Sequence, residues 1–196
     1  MPFIDPIPEE EASGKTADLY AADRAQDGYV ANQTRAFSHR PEVFEAWRGL
    51  VGAIKERMDE RRYELVTVAA ARRLGCSYCM LAHGSILAAK FYGDDSVVRI
   101  VSDRRTADLD ETDLAVMDLA ETVAADASSV TKEDVDRLER LGLTEAEIFD
   151  VVAAAAARAF FTKVLDGLGF QPDAAYGQLA PKLRDALVVG RPIAAD

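Results

Sequence analysis

A chain of 196 residues, 49% hydrophobic and 29% charged, is long enough for one domain with a buried core and has the composition of an ordinary globular protein. Its net charge of −11 argues against a nucleic-acid partner, which would need a basic face to displace counterions from phosphates. The first residues, MPFIDPIPEEE, hold neither a basic start nor an apolar stretch, and the run Val151 to Ala157 stops at Arg158, too short for a bilayer. No secretory leader and no membrane contact are expected, and the expected location is cytoplasmic.

In chain order, a Pro-rich opening (Pro2, Pro6, Pro8) leads to a helix predicted over Gly14 to Arg24, then an irregular stretch from Asp27 to Arg40. Pro41 sits where a helix would begin, and Val43, Phe44, Trp47, Leu50, Val51 and Ile54 follow at helical spacing. The next helix is predicted over Glu60 to Leu74, stopped by Gly75; another begins at the cysteines and reaches about Tyr92. Asp110 can cap a helix carrying Leu114, Met117, Leu119 and Val123, and Thr131 opens a short one. Thr144 to Glu147 reads as a capping box before a long helix ending near Gly169. Inside it, the small residues Ala153 to Ala157 predict close approach by a neighbour, either at the centre of a bundle or in an oligomer contact. No alternating run is long enough to demand a strand. The expectation is an all-α single domain of about seven to nine helices: an extension over 1–40 with one helix, a core over 41–170 and a C-terminal segment over 171–196.

The chemistry concentrates in Gly75-Cys76-Ser77-Tyr78-Cys79. The only two cysteines lie three apart, which random placement would give in about one arrangement in a hundred. In a reducing compartment such a pair is more often catalytic or metal-binding than a structural staple. His83 follows one turn after Cys79, so on a helix Cys76, Cys79, Met80, His83 and Leu87 share a face. A thiol is a nucleophile only as thiolate, and a helix start or nearby cation lowers its pKa. Cys76 is expected in the first helical turn, while His83 is placed to exchange a proton with Cys79. The spacing also lets one sulfur attack the other after oxidation, closing a disulfide. Glu64 falls on an apolar helix stripe with Val68 and Ala71, where a carboxylate needs a partner such as an imidazole or a thiol.

Glu64, eleven residues, Cys76-x-x-Cys79 and x-x-x-His83 together resemble the signature of the AhpD-like branch of the carboxymuconolactone decarboxylase superfamily. The resemblance extends to PIPEEEASGKTADLY, HRPEVFEAW, TKEDVDRLERLGLTEAEIFDVV and FFTKVLDGLG, which look like the longer peroxidase-related members. It implies an all-helical homo-oligomer that reduces peroxides or disulfides with thiols. Cys79 then resembles the attacking cysteine, Cys76 the resolving one, and Glu64 with His83 the proton relay. It implies no bound cofactor, an external thiol reductant protein, and a small-molecule peroxide or disulfide as substrate. The family pattern carries a histidine between its cysteines where this chain has Tyr78, a poor base near neutral pH, so the implied relay is shorter.

Other readings compete. The cysteines could be buried hydrophobes, or could join His83 and Glu64 as metal ligands, although structural zinc usually draws on two separate knuckles. The pair could be incidental to a decarboxylase-type lyase or isomerase using His83 and Glu64. It could also belong to a redox-sensing helical oligomer without turnover. Tyr78, His39 and the Arg72-Arg73 pair are expected to be packing, loop and solvated helix-end residues.

Overall fold

The computed structural model describes residues 2–195, and among these the chain is helical, with no strand. Ten α-helices occur: α1 (Gly14–Asp27), α2 (Asn32–Ala36), α3 (Pro41–Lys55), α4 (Glu60–Leu74), α5 (Ser77–Leu87), α6 (Asp94–Asp103), α7 (Glu111–Asp126), α8 (Lys132–Arg140), α9 (Glu145–Gly167) and α10 (Pro181–Leu187). Nine of them have seven residues or more. The local signals behave as their chemistry requires. Asp110 accepts from the Asp113 amide, Thr131 and Thr144 each close a capping box, and Gly75 ends α4 in the left-handed conformation at φ 72°.

The centre of the bundle is α4, which packs against α5, α7 and α9. Every residue from Tyr63 to Ala71 is buried, as expected of a helix apolar nearly all round. Of the two places expected for the long helix α9, the centre of the bundle is taken by α4, and α9 packs beside it. In the run Ala153 to Ala157, Ala154, Ala155 and Ala157 face inward and only Ala156 is fully exposed. The exposed apolar side of α9 is marked by Phe149, which is 70% exposed, and Phe160.

Three helices go beyond those read from the sequence. Helix α2 lies in the stretch expected to be irregular and is too short to show a period. Helices α6 and α10 pack on one another, and α10 reaches back to α5, where Leu187 fills the space that a side chain at Gly84 would occupy. The helix expected to run unbroken to Tyr92 changes at Ala88 to a π turn (Ala88–Tyr92) ended by Gly93. That turn directs the Tyr92 hydroxyl to Arg61, whose guanidinium also pairs with the buried Asp113 of α7.

Beyond α10 the chain crosses the start of α5. The Val189 and Gly190 amides donate to the Ser77 hydroxyl at 3.1 and 2.7 Å. Arg191 donates to the Asp166 carbonyl at 2.8 Å, and Ala194 to the Pro172 carbonyl at 2.9 Å. This strap passes so near α5 that a Cβ at Gly190 would lie 1.9 Å from the Gly75 carbonyl oxygen.

Candidate active site

Gly75 turns the chain between α4 and α5 and so sets both cysteines against α4 and α9. Cys76 is the N-cap of α5, with its carbonyl accepting from the Met80 amide; the first turn, where it was expected, begins at Ser77 and contains Cys79. The free amides of the helix start therefore lie nearer Cys79 than the sequence suggested. Both cysteines are free thiols and buried, Cys79 to 1% exposure.

Helix α4 supplies Glu64, whose carboxylate accepts from His83 Nδ1 at 2.5 Å. A proton on Nδ1 leaves Nε2 as the free acceptor of the ring. The pairing explains how a carboxylate survives on a buried stripe, with Lys55 Nζ a further 3.9 Å from its other oxygen. Burial, then the charge of Arg158, push the His83 pKa down, with Glu64 pulling the other way, so the ring is neutral near neutral pH. The His83 side chain keeps 15% exposure and is the solvent-facing end of the pair.

Helix α9 supplies what sequence reasoning missed. Arg158 is 3% exposed, and its Nη1 lies 3.5 Å from Cys79 Sγ while Nη2 donates to the Tyr63 hydroxyl at 3.3 Å. The Thr162 hydroxyl lies 3.5 Å from the same sulfur, and Asp166 faces Cys76. These three follow at four-residue intervals along one face of α9. The rings of Trp47 and Phe161, stacked with centroids 4.1 Å apart, close over the guanidinium. The signal was available: Arg158 occupies an inward position in a stripe formed by Val151, Ala154, Ala155, Phe161 and Leu165. A charge there needs a partner inside the protein.

The electrostatics separate the two thiols. The neighbouring Cys76 thiol and then the positive charge of Arg158 hold the Cys79 thiol well below the usual range, against the effect of burial. The adjacent Cys79, then burial, and the negative charge of Asp166 push the Cys76 thiol up.

Tyr78, between them, does not touch the sulfurs by any hydrogen bond. Its hydroxyl donates to the buried Asp173 and accepts from the Gln33 amide at 3.1 Å, tying α5 to α2 and the C-terminal segment. His39 is an exposed loop residue against the Asp5 carbonyl, and Arg72 and Arg73 are exposed in the last turn of α4. Among the described residues, no three of the His, Cys, Asp and Glu side chains converge as a metal cage, and no helix is long and apolar enough to cross a membrane.

This is an AhpD-like helical fold. It is shared with a peroxidase-related protein of Ralstonia eutropha JMP134, described as an alkylhydroperoxidase AhpD core, at a TM-score of 0.79 and 22% identity over 89% of this chain and 94% of that one. A second peroxidase-related protein, from Silicibacter sp. TM1040, matches at 0.75 and 20% identity, covering 90% and 92%. The debrominase Bmp8 matches at 0.74 and 17% identity, covering 94% and 97%. No curated protein sequence matches the chain. Residues 41–95, which hold Glu64, both cysteines and His83, match the carboxymuconolactone decarboxylase family model. The chain shares the AhpD-like fold, and its stretch 41–95 shares the sequence pattern of that family model.

Proposed function

We propose that the protein is a thiol oxidoreductase that reduces organic hydroperoxides or disulfides with the Cys76–Cys79 pair. The observation that carries this reading is the unequal environment of two neighbouring free thiols, of which Cys79 alone lies 3.5 Å from a buried guanidinium. The Cys79 thiolate attacks the terminal oxygen of the hydroperoxide; the S–O bond forms, the O–O bond breaks, and the leaving alkoxide takes a proton. His83, solvent-facing and oriented by Glu64, relays that proton. Cys76 then attacks the Cys79 sulfenic acid, its proton leaving with the hydroxide as water, and an internal disulfide forms. An external dithiol protein, itself oxidised, restores both thiols. No bound cofactor enters this cycle, and a cytoplasmic setting would supply the reductant.

Mass-spectrometric thiol counting before and after one equivalent of an organic hydroperoxide tests the reading. Loss of both thiols to a link within one chain, prevented by either Cys76→Ser or Cys79→Ser, is expected. Retention of both thiols, or links only between chains, overturns it.

The aromatic side chains of Tyr63, Trp47 and Phe161 packed about Arg158 favour a second reading. The debrominase Bmp8 shares the fold, and a variant of it is described in complex with 2,3,4-tribromopyrrole. The same dithiol could convert an aryl halide to the arene, yielding the disulfide and a hydrogen halide. Halide release from a brominated pyrrole, lost in Cys79→Ser, distinguishes this substrate class.

A further inference from the structure

Arg158 is buried at 3% exposure, and no carboxylate pairs with it among the described residues. Its hydrogen-bonding neighbours are a thiol sulfur and a phenol, and its Nε has no partner at all. A buried cation without an anion is costly enough that proteins rarely leave one uncompensated. The groups around Cys79 are Cys76 and His83 beside it in the chain, Arg158, Thr162 and Asp166 on α9, and Tyr176 in the C-terminal segment, with Tyr63 of α4 bonded to Arg158 and Glu64 of α4 to His83. Glu64 is already paired with His83, leaving the Cys79 sulfur as the anion within reach of the guanidinium.

We propose that Arg158 is the counter-ion of Cys79, holding it as a resting thiolate and thereby deciding which cysteine attacks. The inference rests on the thiol-oxidoreductase reading and moves control of the nucleophile from His83 to Arg158. His83, neutral and bonded to Glu64, keeps the task of carrying protons to and from solvent. Closing the disulfide consumes the thiolate and leaves the guanidinium buried without its anion. The reduced form is therefore favoured, and the disulfide is an oxidising one.

The test is the thiolate titration of Cys79, followed by ultraviolet absorbance and by alkylation rate, in a Cys76→Ser background. Arg158→Met and Arg158→Gln are expected to raise the midpoint by about one pH unit or more, slowing alkylation roughly tenfold on the acidic side. Arg158→Lys keeps a charge and should restore most of the shift, whereas His83→Ala should move it less than Arg158→Met. In the otherwise unmodified chain, Arg158→Met should make the disulfide potential more negative by about 30 mV for each tenfold loss of thiolate stabilisation. Circular dichroism identifies the folded variants. An unchanged titration in a folded neutral variant, or a Lys variant no different from Met, overturns the assignment. Should neither neutral variant fold, the parent decides: equal alkylation of Cys76 and Cys79 at mildly acidic pH overturns it, and selective alkylation of Cys79 supports it. None of these readouts needs turnover. A shifted titration with thiols inert to hydroperoxide would retain Arg158 and sink the peroxidase reading alone.

Discussion

Replacing Gly190 by alanine is expected to uncover Cys76 without unfolding the bundle. The added Cβ would stand 1.9 Å from the Gly75 carbonyl oxygen and 3.1 Å from its carbon. Those are backbone atoms of the turn that joins α4 to α5, so the strap has to lift rather than a side chain swing aside. Lifting breaks the two hydrogen bonds to the Ser77 hydroxyl. At about 1 kcal/mol net for each, the strapped state loses roughly 2 kcal/mol relative to the open one. Each 1.4 kcal/mol is a factor of ten, so the open population rises on the order of 30-fold. Alkylation of Cys76 under native conditions, resolved by peptide mapping, should accelerate by a similar factor. The urea midpoint should change little, because local opening near a chain end costs less than global unfolding. Ser77→Ala, which removes the shared acceptor of the same two hydrogen bonds, should act in the same direction and by a similar factor. A Gly190→Ala protein that labels Cys76 at the parent rate would refute the inference that the strap, held against Gly75 and Ser77 on either side of Cys76, keeps solvent from its sulfur.

Stability of the reduced protein should rise with pH from the acid side into the ordinary thiol range. The folded Cys79 pKa is lowered, so the unfolded chain binds more protons in that window, with a slope of up to about 1.4 kcal/mol per pH unit. Denaturant midpoints across pH should lose this slope in Cys79→Ser. The lowered His83 pKa adds to it as pH falls through the usual imidazole range, where the unfolded ring takes a proton that the folded one refuses. Asp113→Asn should cost about 3 kcal/mol in urea unfolding, since it leaves Arg61 without its buried partner. The chain should self-associate at micromolar concentration, and Phe149→Glu with Phe160→Glu should yield monomers by light scattering; a monomeric parent would refute this.

The helices were legible wherever a terminus carried its own chemistry. Gly75, Asp110, Thr131 and Thr144 mark boundaries because their side chains, or lack of one, meet local backbone needs independent of the rest of the fold. Helix α2 and the π turn were not legible, since five residues show no period and an extra residue in one turn leaves no trace in composition. Within the site, Glu64 and His83 were readable because a carboxylate on an apolar stripe needs a partner and an imidazole lay one turn from a thiol. Arg158 was read only as the end of an apolar run. Its meaning depends on α9 packing beside α4 so that its side chain reaches Cys79 of α5, a contact between residues 79 positions apart in the chain. Trp47 likewise gave a stripe position, whereas its indole N–H reaches the Ala157 carbonyl at 3.2 Å, pinning α3 to the turn that bears Arg158.

The four-residue stepping of Arg158, Thr162 and Asp166 makes α9 a graded strip laid along the two sulfurs. Positive, neutral and negative groups succeed one another over about 12 Å of helix axis. One inserted residue upstream of Arg158, but within α9, would rotate all three by about 100° and erase the gradient while leaving both cysteines untouched. Conversely, exchanging Arg158 with Asp166 would reverse it and hand the nucleophile's part to Cys76. The stretch 41–95 that matches the family model ends well before α9. A relative can therefore keep every residue of that stretch and still run its cysteine pair backwards, or not at all, by changes confined to a helix that contains none of the motif.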